Sequence, residues 1–415
     1  MISKIKYEYL LFLIAIIGTI FFLYVIQLKV HLSPTGDDTT YLLAAKKLYF
    51  HGLASDDRPI LISLIDGFPF LFGFPSSVVI NWGIFVNYCC WLFTVILIFK
   101  IIADQLNRKI AFFGALFFLT CIGNLAIAFN FLSESIFIFM LVLSVFFANK
   151  YFKTNNTNFI TLGIAVLTFA ILIKPMSIGL VFIVTLFFFK KLKSVLWNKF
   201  SGLILIGLSM IFFQMYSLKQ QYGDYTISYI DSITYYNYLG AKADCLKKGI
   251  AFFPGDNERA LYFSKFTSHE QRKIANDDMK TQLKNNTVNL FKAYLFCIYS
   301  NTSKGSFIIS QCENEKQTFY FDAFKFLFKA ISKVQNILLT IIAVLLSFYS
   351  LTINRKNQSD FNRMISVIIL YIFFISAISC FQCDRFHIVF YPLIIILSAT
   401  YLSHIGFLNL KKFEK

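Results

Sequence analysis

The sequence predicts an all-α protein that crosses a membrane about ten times, and three observations predict it. First, 57% of the 415 residues are hydrophobic and the mean hydropathy is +0.64, more apolar surface than a water-soluble chain of this size tolerates. Second, the apolar residues gather in runs near the roughly 20 residues that span a bilayer. Third, the basic residues cluster in short connections between those runs, as cytoplasmic anchoring charge does. The net charge of +17 is therefore read as membrane orientation and not as a nucleic-acid surface. The 52 phenylalanines suit lipid-facing helix surfaces.

The runs are 8–28, 78–101, 110–129, 131–149, 159–173, 176–190, 200–218, 331–353, 363–381 and 386–405. The first has no small-residue cleavage site at its end and is read as a retained helix. The fifth and sixth are short and joined by Lys174-Pro175. Two helices are preferred there to a re-entrant pair, because the alternation of sides then closes. With Lys4 and Lys6 in the cytoplasm, the later cytoplasmic connections carry Lys100, Arg108 and Lys109; Lys150 and Lys153; Lys190, Lys191, Lys193 and Lys199; Arg355, Lys356 and Arg363; and Lys411, Lys412 and Lys415. Both termini are expected inside. The outer face then receives Asp37-Asp38, Asp56-Asp57-Arg58, Glu134, Lys174 and Asp384-Arg385. It also receives the lysine-rich segment 219–330, since long segments cross largely regardless of charge.

Three units follow: a transmembrane module 1–218 with a first outer loop at 29–77, an extracytoplasmic subdomain 219–330, and C-terminal helices 331–415. Within the subdomain, Tyr225–Leu239 reads as short strands or loop. Glu258–Leu283 and Thr287–Tyr299 read as helices, the former broken near Thr267-Ser268. No solenoid repeat or low-complexity tract is visible.

In the first outer loop, Tyr41, Leu42, Ala45, Leu48 and Tyr49 recur on one helical face and Lys46 and Lys47 on another, which predicts a helix in the interface plane over Asp38–Phe50. Asp37 or Asp38 would cap it. One acid suffices to cap and two adjacent acids repel, so the pair is also a candidate for chemistry. Arg58-Pro59 opens a second apolar stretch through Phe72-Gly73, broken by prolines. Arg58 suits either a snorkelling anchor or a phosphate ligand. Glu134 at a helix start is favoured by the dipole in any case, and Lys174 also fits a snorkelling role. His387 reads as structural. The sequons at Asn285 and Asn301 carry no inference.

Of eight cysteines, Cys89, Cys90 and Cys121 read as core thiols. Cys245, Cys297 and Cys312 lie in the polar segment, and Cys380-x-x-Cys383 has only His387 nearby, too few ligands for zinc. A disulfide is open on an oxidising face.

An acidic pair after the first helix, an interfacial helix, then Arg58-Pro59 and an apolar stretch ending in Phe-Gly resembles the GT-C glycosyltransferases. More narrowly it resembles the protein O-mannosyltransferase and lipid A aminoarabinose transferase clan. Leu132-Ser133-Glu134-Ser135, Ile173-Lys174-Pro175 and Asp384-Arg385-Phe386 followed by Tyr391-Pro392 are similar to that clan's later motifs, although Lys174 stands where Arg is common. The resemblance covers most of 1–190 and 365–405. It implies a hexosyl or pentosyl transferase in the bacterial plasma membrane. The donor would be a polyprenyl-phosphate sugar and the acceptor a lipid, glycan or protein. On this reading Asp37 is the base, with Asp38 as alternate or orienting partner. Arg58, Lys174 and Arg385 meet the donor phosphate, and Glu134 and Tyr41 support the acceptor. Basic side chains can handle a singly charged phosphodiester, so no obligatory metal is expected.

Two competing classes remain. An O-antigen-type polymerase or ligase would use polyprenyl-diphosphate glycans and outer-loop arginines. A lipid or solute transporter would place charges at the midplane. The early acidic pair with Arg58-Pro59, and the near absence of charge in mid-run, favour the transferase.

Overall fold

A computed structural model describes residues 6–28, 37–254, 257–353 and 359–404. Lys4, Arg355, Lys356, Lys411, Lys412 and Lys415, on which part of the orientation argument rests, lie outside the described residues. Among the described residues every regular element is helical.

In chain order the helices are α1 (Tyr7–Ile26), α2 (Asp37–His51), α3 (Ile60–Asp66), α4 (Ser76–Gln105), α5 (Arg108–Leu119), α6 (Ile122–Ala128), α7 (Glu134–Thr154), α8 (Thr157–Ile171), α9 (Ser177–Phe187) and α10 (Leu192–Leu196). They continue with α11 (Ser201–Tyr222), α12 (Ile230–Thr234), α13 (Ala241–Lys248), α14 (Glu258–Phe263), α15 (Ser268–Asn285), α16 (Thr287–Thr302), α17 (Phe307–Gln311), α18 (Phe321–Leu351), α19 (Asp360–Ile375) and α20 (Tyr391–His404).

Each of the ten apolar runs contains helix, but they are not equally long. Among the described residues six helices are long and apolar enough to cross a membrane: α1, α4, α7, α11, α18, and α19 with the turn after it. The run expected as one span at 110–129 is instead α5 and α6, bent by 64° at Thr120-Cys121. There Phe117 and Phe118 carbonyls are taken up by 3-10-type turns. Helices α8, α9 and α20 are shorter apolar helices. Pro175 ends the α8 course, since it cannot continue a helical ladder. Helices α8 and α9 flank Lys174-Pro175, and both are shorter than a full span.

Burial sorts the long helices into layers. In α4, α7 and α19, 56%, 61% and 61% of the apolar window is buried, against 33% in α1, 22% in α11 and 33% in α18. The first three form the middle of the bundle and the others its rim. Phe99, Phe118, Phe131, Phe137, Phe390 and Leu393 fill the core between them. Side-chain caps set the short connections. Asn107 Oδ1 accepts the Ile110 N–H at 2.9 Å and Asn156 Oδ1 accepts the Asn158 N–H at 3.0 Å. Gly223, at φ +97°, closes α11 in the left-handed region that glycine enters without strain.

Segment 225–239 departs from the expected strands or loop. Tyr229 is followed by α12 and a π-helical turn, Tyr235–Gly240, which runs into α13. Side-chain demands explain it. Tyr236 stacks on Phe263 with centroids 4.4 Å apart, Arg259 lies over Tyr236 at 4.0 Å, and Tyr235 OH donates to Asp278 Oδ2 at 3.0 Å. Arg259 also pairs with Asp244 and Asp278 at 2.5 and 2.6 Å. The break near Thr267-Ser268 is present, and its cause is a capping box between Thr267 and Glu270. Helix α18 starts at Phe321, ten residues before the 331 boundary, so one continuous helix joins the polar segment to the C-terminal bundle.

Two asparagines fasten that junction. Asn301 Nδ2 donates to the Ser376 and Ser379 carbonyls at 3.1 and 2.7 Å, and Asn336 Nδ2 to those of Asn301 and Lys304 at 2.7 Å each. Asn301 is fully buried.

Candidate active site

Five chain segments converge at one end of the bundle. Helix α2 opens with Asp37 and Asp38. Arg58 precedes Pro59, the N-cap of α3. Glu134 is the first residue of α7, and the turn before it is held by Asn87, whose Nδ2 donates to the Asn130 and Leu132 carbonyls at 2.7 and 2.9 Å. Lys174 sits in the turn between α8 and α9. Arg385 lies between α19 and α20, in a turn where the Asp384 carbonyl accepts the His387 and Ile388 N–H groups at 2.9 Å each.

Their side chains form one continuous network. Arg58 Nη2 donates to Asp37 Oδ1 at 2.7 Å, and Arg385 Nη1 donates to Asp37 Oδ2. Arg385 Nε donates to Glu134 Oε1 at 2.7 Å, and Lys174 Nζ to the same oxygen at 2.8 Å. The Tyr41 hydroxyl shares a 2.8 Å hydrogen bond with Ser133 Oγ, and its ring lies 4.3 Å under the Arg58 guanidinium. Lys174 also faces the Phe386 ring at 5.5 Å. Asp37, Arg58, Glu134, Lys174, Arg385 and Tyr41 are thus brought together, with Asp38 alongside.

The geometry narrows several open expectations. Arg58 does not snorkel: it turns inward, and its Nε donates to Thr40 Oγ1 at 2.8 Å. Lys174 likewise points to the buried Glu134, not to a surface. Among the described residues neither acid of the pair caps α2. Asp37 is taken by the two arginines, and Asp38 Oδ1 accepts only the adjacent Thr39 N–H at 3.0 Å. Among the described residues, Asp38 Oδ2 and Glu134 Oε2 are buried with no hydrogen-bond partner.

The electrostatics separate the two acids. Burial works against ionisation of Asp37, but Arg385 and Arg58 outweigh it and hold the carboxyl well below the usual carboxylate range. Burial, with the neighbouring Asp37 charge, pushes Asp38 up to about 6. Three cations (Arg58, Lys174, Arg385) face two paired carboxylates (Asp37, Glu134), with the acids Asp38 and Asp57 beside them.

Sequence reasoning left out Thr40 and Ser133 as contributors. It also left out Tyr238, close enough to Asp37 to feel its charge. A tyrosine in a polar segment carries no signal that separates it from its neighbours. His387 is fully buried: its Nδ1 lies 3.0 Å from Thr340 Oγ1 and its Nε2 3.3 Å from Ser376 Oγ. Among the described residues, no group of three or more His, Cys, Asp or Glu side chains is placed to hold a metal ion.

No protein-family model matches the sequence, and no curated protein matches it. Solved structures of similar backbone course include the archaeal oligosaccharyltransferase AglB from Archaeoglobus fulgidus, in complex with an inhibitory peptide and a dolichol-phosphate. That match has 11% identity and a TM-score of 0.45, covering 98% of this chain and 51% of that one. The oligosaccharyltransferase of Archaeoglobus fulgidus in its apo form gives 11% identity, a TM-score of 0.46, and 98% and 52% coverage. ArnT from Cupriavidus metallidurans bound to undecaprenyl phosphate gives 12%, 0.43, and 97% and 79%. The chain spans about half the length of the oligosaccharyltransferases it matches.

Proposed function

We propose that this chain is a GT-C-type membrane glycosyltransferase. It takes a sugar from a polyprenyl-phosphate donor at the extracytoplasmic face and passes it to a lipid, glycan or protein acceptor. The observation that carries the reading is the Asp37–Arg58–Arg385 cluster: one carboxylate clamped by two guanidinium groups.

The donor's lipid tail confines its glycosidic carbon to the membrane surface, so the catalytic groups belong at helix ends and interfacial turns. The acceptor oxygen attacks that carbon, the carbon–oxygen bond to phosphate breaks, and the phosphate leaves with added negative charge. Arg58 and Arg385, with Lys174 behind them, stabilise that added charge more than the ground state. The acceptor's proton goes to a carboxylate.

Asp37 is held too acidic to serve as base while both arginines grip it. The donor phosphate competes for the same two guanidinium groups. Once they turn to phosphate, Asp37 loses its main stabilising partners and its proton affinity rises. Donor binding thereby prepares the base, and Asp38, already near neutrality, orients or assists it. Glu134 fixes Arg385 and Lys174 through Oε1 and keeps Oε2 free for an acceptor hydroxyl. Basic side chains meet the phosphate in this scheme, and no metal is assigned.

The test is transfer of labelled sugar from a polyprenyl phosphate by purified protein. Asp37→Asn is expected to fold and bind donor but to transfer at least about 100-fold more slowly. Transfer by the variant at the parent rate would remove Asp37 from the mechanism.

A further inference from the structure

We propose that Cys297 and Cys380 form a disulfide that ties the polar subdomain to the turn presenting Arg385. Both thiols are free, and Cys380 lies near enough to Cys297 to push its pKa up. Both are 0% exposed and share one apolar cluster with Phe252, Phe263 and Ala377. Their backbones are held in register by hydrogen bonds on each side of Cys380. Asn301 Nδ2 donates to the Ser379 carbonyl at 2.7 Å, Phe381 N–H to Ser300 Oγ at 2.9 Å, and Gln382 N–H to Asn301 Oδ1 at 3.0 Å. Ser300 and Asn301 lie one helical turn beyond Cys297 on α16. Cys297, Ser300 and Asn301 share one face of α16, and those bonds hold Cys380 against that face.

The turn itself needs a tether. Phe381 at φ +62° and Cys383 at φ +55° are side-chain-bearing residues in the left-handed region, a conformation that persists only where surroundings hold it. Arg385 follows two residues after Cys383. A covalent link at Cys380 anchors this turn to α16 and so limits the freedom of the guanidinium that grips Asp37 and Glu134.

The chemistry is thiol–disulfide exchange with a disulfide-bearing oxidant, small molecule or protein. One cysteine thiolate attacks the oxidant's disulfide and releases one thiol. The second cysteine displaces the other, so two protons and two electrons pass from the cysteines to the oxidant. Formation in the cell rests on the outer-face placement of the proposed function. The test with purified protein does not.

Full-length protein purified without reductant is incubated with oxidised glutathione, denatured in N-ethylmaleimide, digested and mapped by mass spectrometry. The expected result is a Cys297–Cys380 linked peptide, with Cys245 and Cys383 carrying maleimide. Dithiothreitol is expected to lower the Tm of the parent by at least about 3 °C and to leave a Cys297→Ser/Cys380→Ser double variant unmoved. Maleimide on both Cys297 and Cys380 after oxidation, or linkage through Cys245 or Cys383, would overturn the assignment. Sugar transfer is measured separately, so either reading can fail alone.

Discussion

Arg385 donates its Nε–H to Glu134 Oε1 at 2.7 Å, although 251 positions of chain separate them. Glu134 is fully buried, and the same oxygen accepts from Lys174. Removing one partner of a buried ion network costs more than the network contributes, because the remaining charges stay desolvated. Glu134→Gln leaves Arg385 and Lys174 with one anion fewer. It is expected to lower stability by about 3–5 kcal/mol, read by thermal unfolding in detergent. A Tm equal to that of the parent would mean that the glutamate charge is dispensable to the fold.

Arg58 offers a test of shape against charge. Its guanidinium reaches Asp37 and Thr40 at once and stacks on Tyr41. A lysine keeps the charge but supplies neither the fork nor the planar face. Arg58→Lys is expected to raise the KM for donor about tenfold or more while the KM for acceptor changes little. Superimposable donor saturation curves for variant and parent would contradict a phosphate role.

Asp384 gives a pH dependence whose sign is fixed. Burial raises its pKa from 3.8 to about 7 in the fold. Below 3.8 both folded and unfolded chains hold the proton. Between those values the unfolded chain ionises while the folded one stays neutral, so this residue erodes stability as pH rises and levels off above about 7. Asp384→Asn keeps an oxygen for the Phe307 N–H that the carboxyl accepts and removes the titration. The variant's Tm is expected to gain on the parent's from pH 4 to pH 7. A gap that stays constant across that range would refute the assignment.

Much of this site was legible in the sequence because membranes make polar residues conspicuous. Glu134, Lys174 and Arg385 each stand at the end of an apolar run, Asp37 and Arg58 open the two elements of the first outer loop, and the alternation of basic loops put all of them on one face. Pairing was not legible: nothing local tells Glu134 to choose Arg385, and the two arginines on Asp37 come from different ends of the chain. Helix ends erred where charge masked a helix. Asp322, Lys325 and Lys329 hid the first ten residues of α18, which are helical because they extend a packed span. The π-helical turn at Tyr235–Gly240 was missed because its cause lies in Phe263, Arg259 and Asp278, contacts made by later helices. The bend between α5 and α6 has a similar origin. A Cβ on Gly123 would stand 2.2 Å from Asp384 Oδ2, so α6 is placed by close approach to the Arg385 turn and not by its own composition.

The 31 residues of α18 measure about 46 Å at 1.5 Å each, whereas the hydrocarbon layer is about 30 Å thick. A straight rod of that length overshoots the oily layer by about three helical turns. Its first ten residues, Phe321 to Ala330, supply that extra length and join the polar segment to the span, so deleting whole turns there would shorten the connection without removing any residue of the Asp37–Arg385 network.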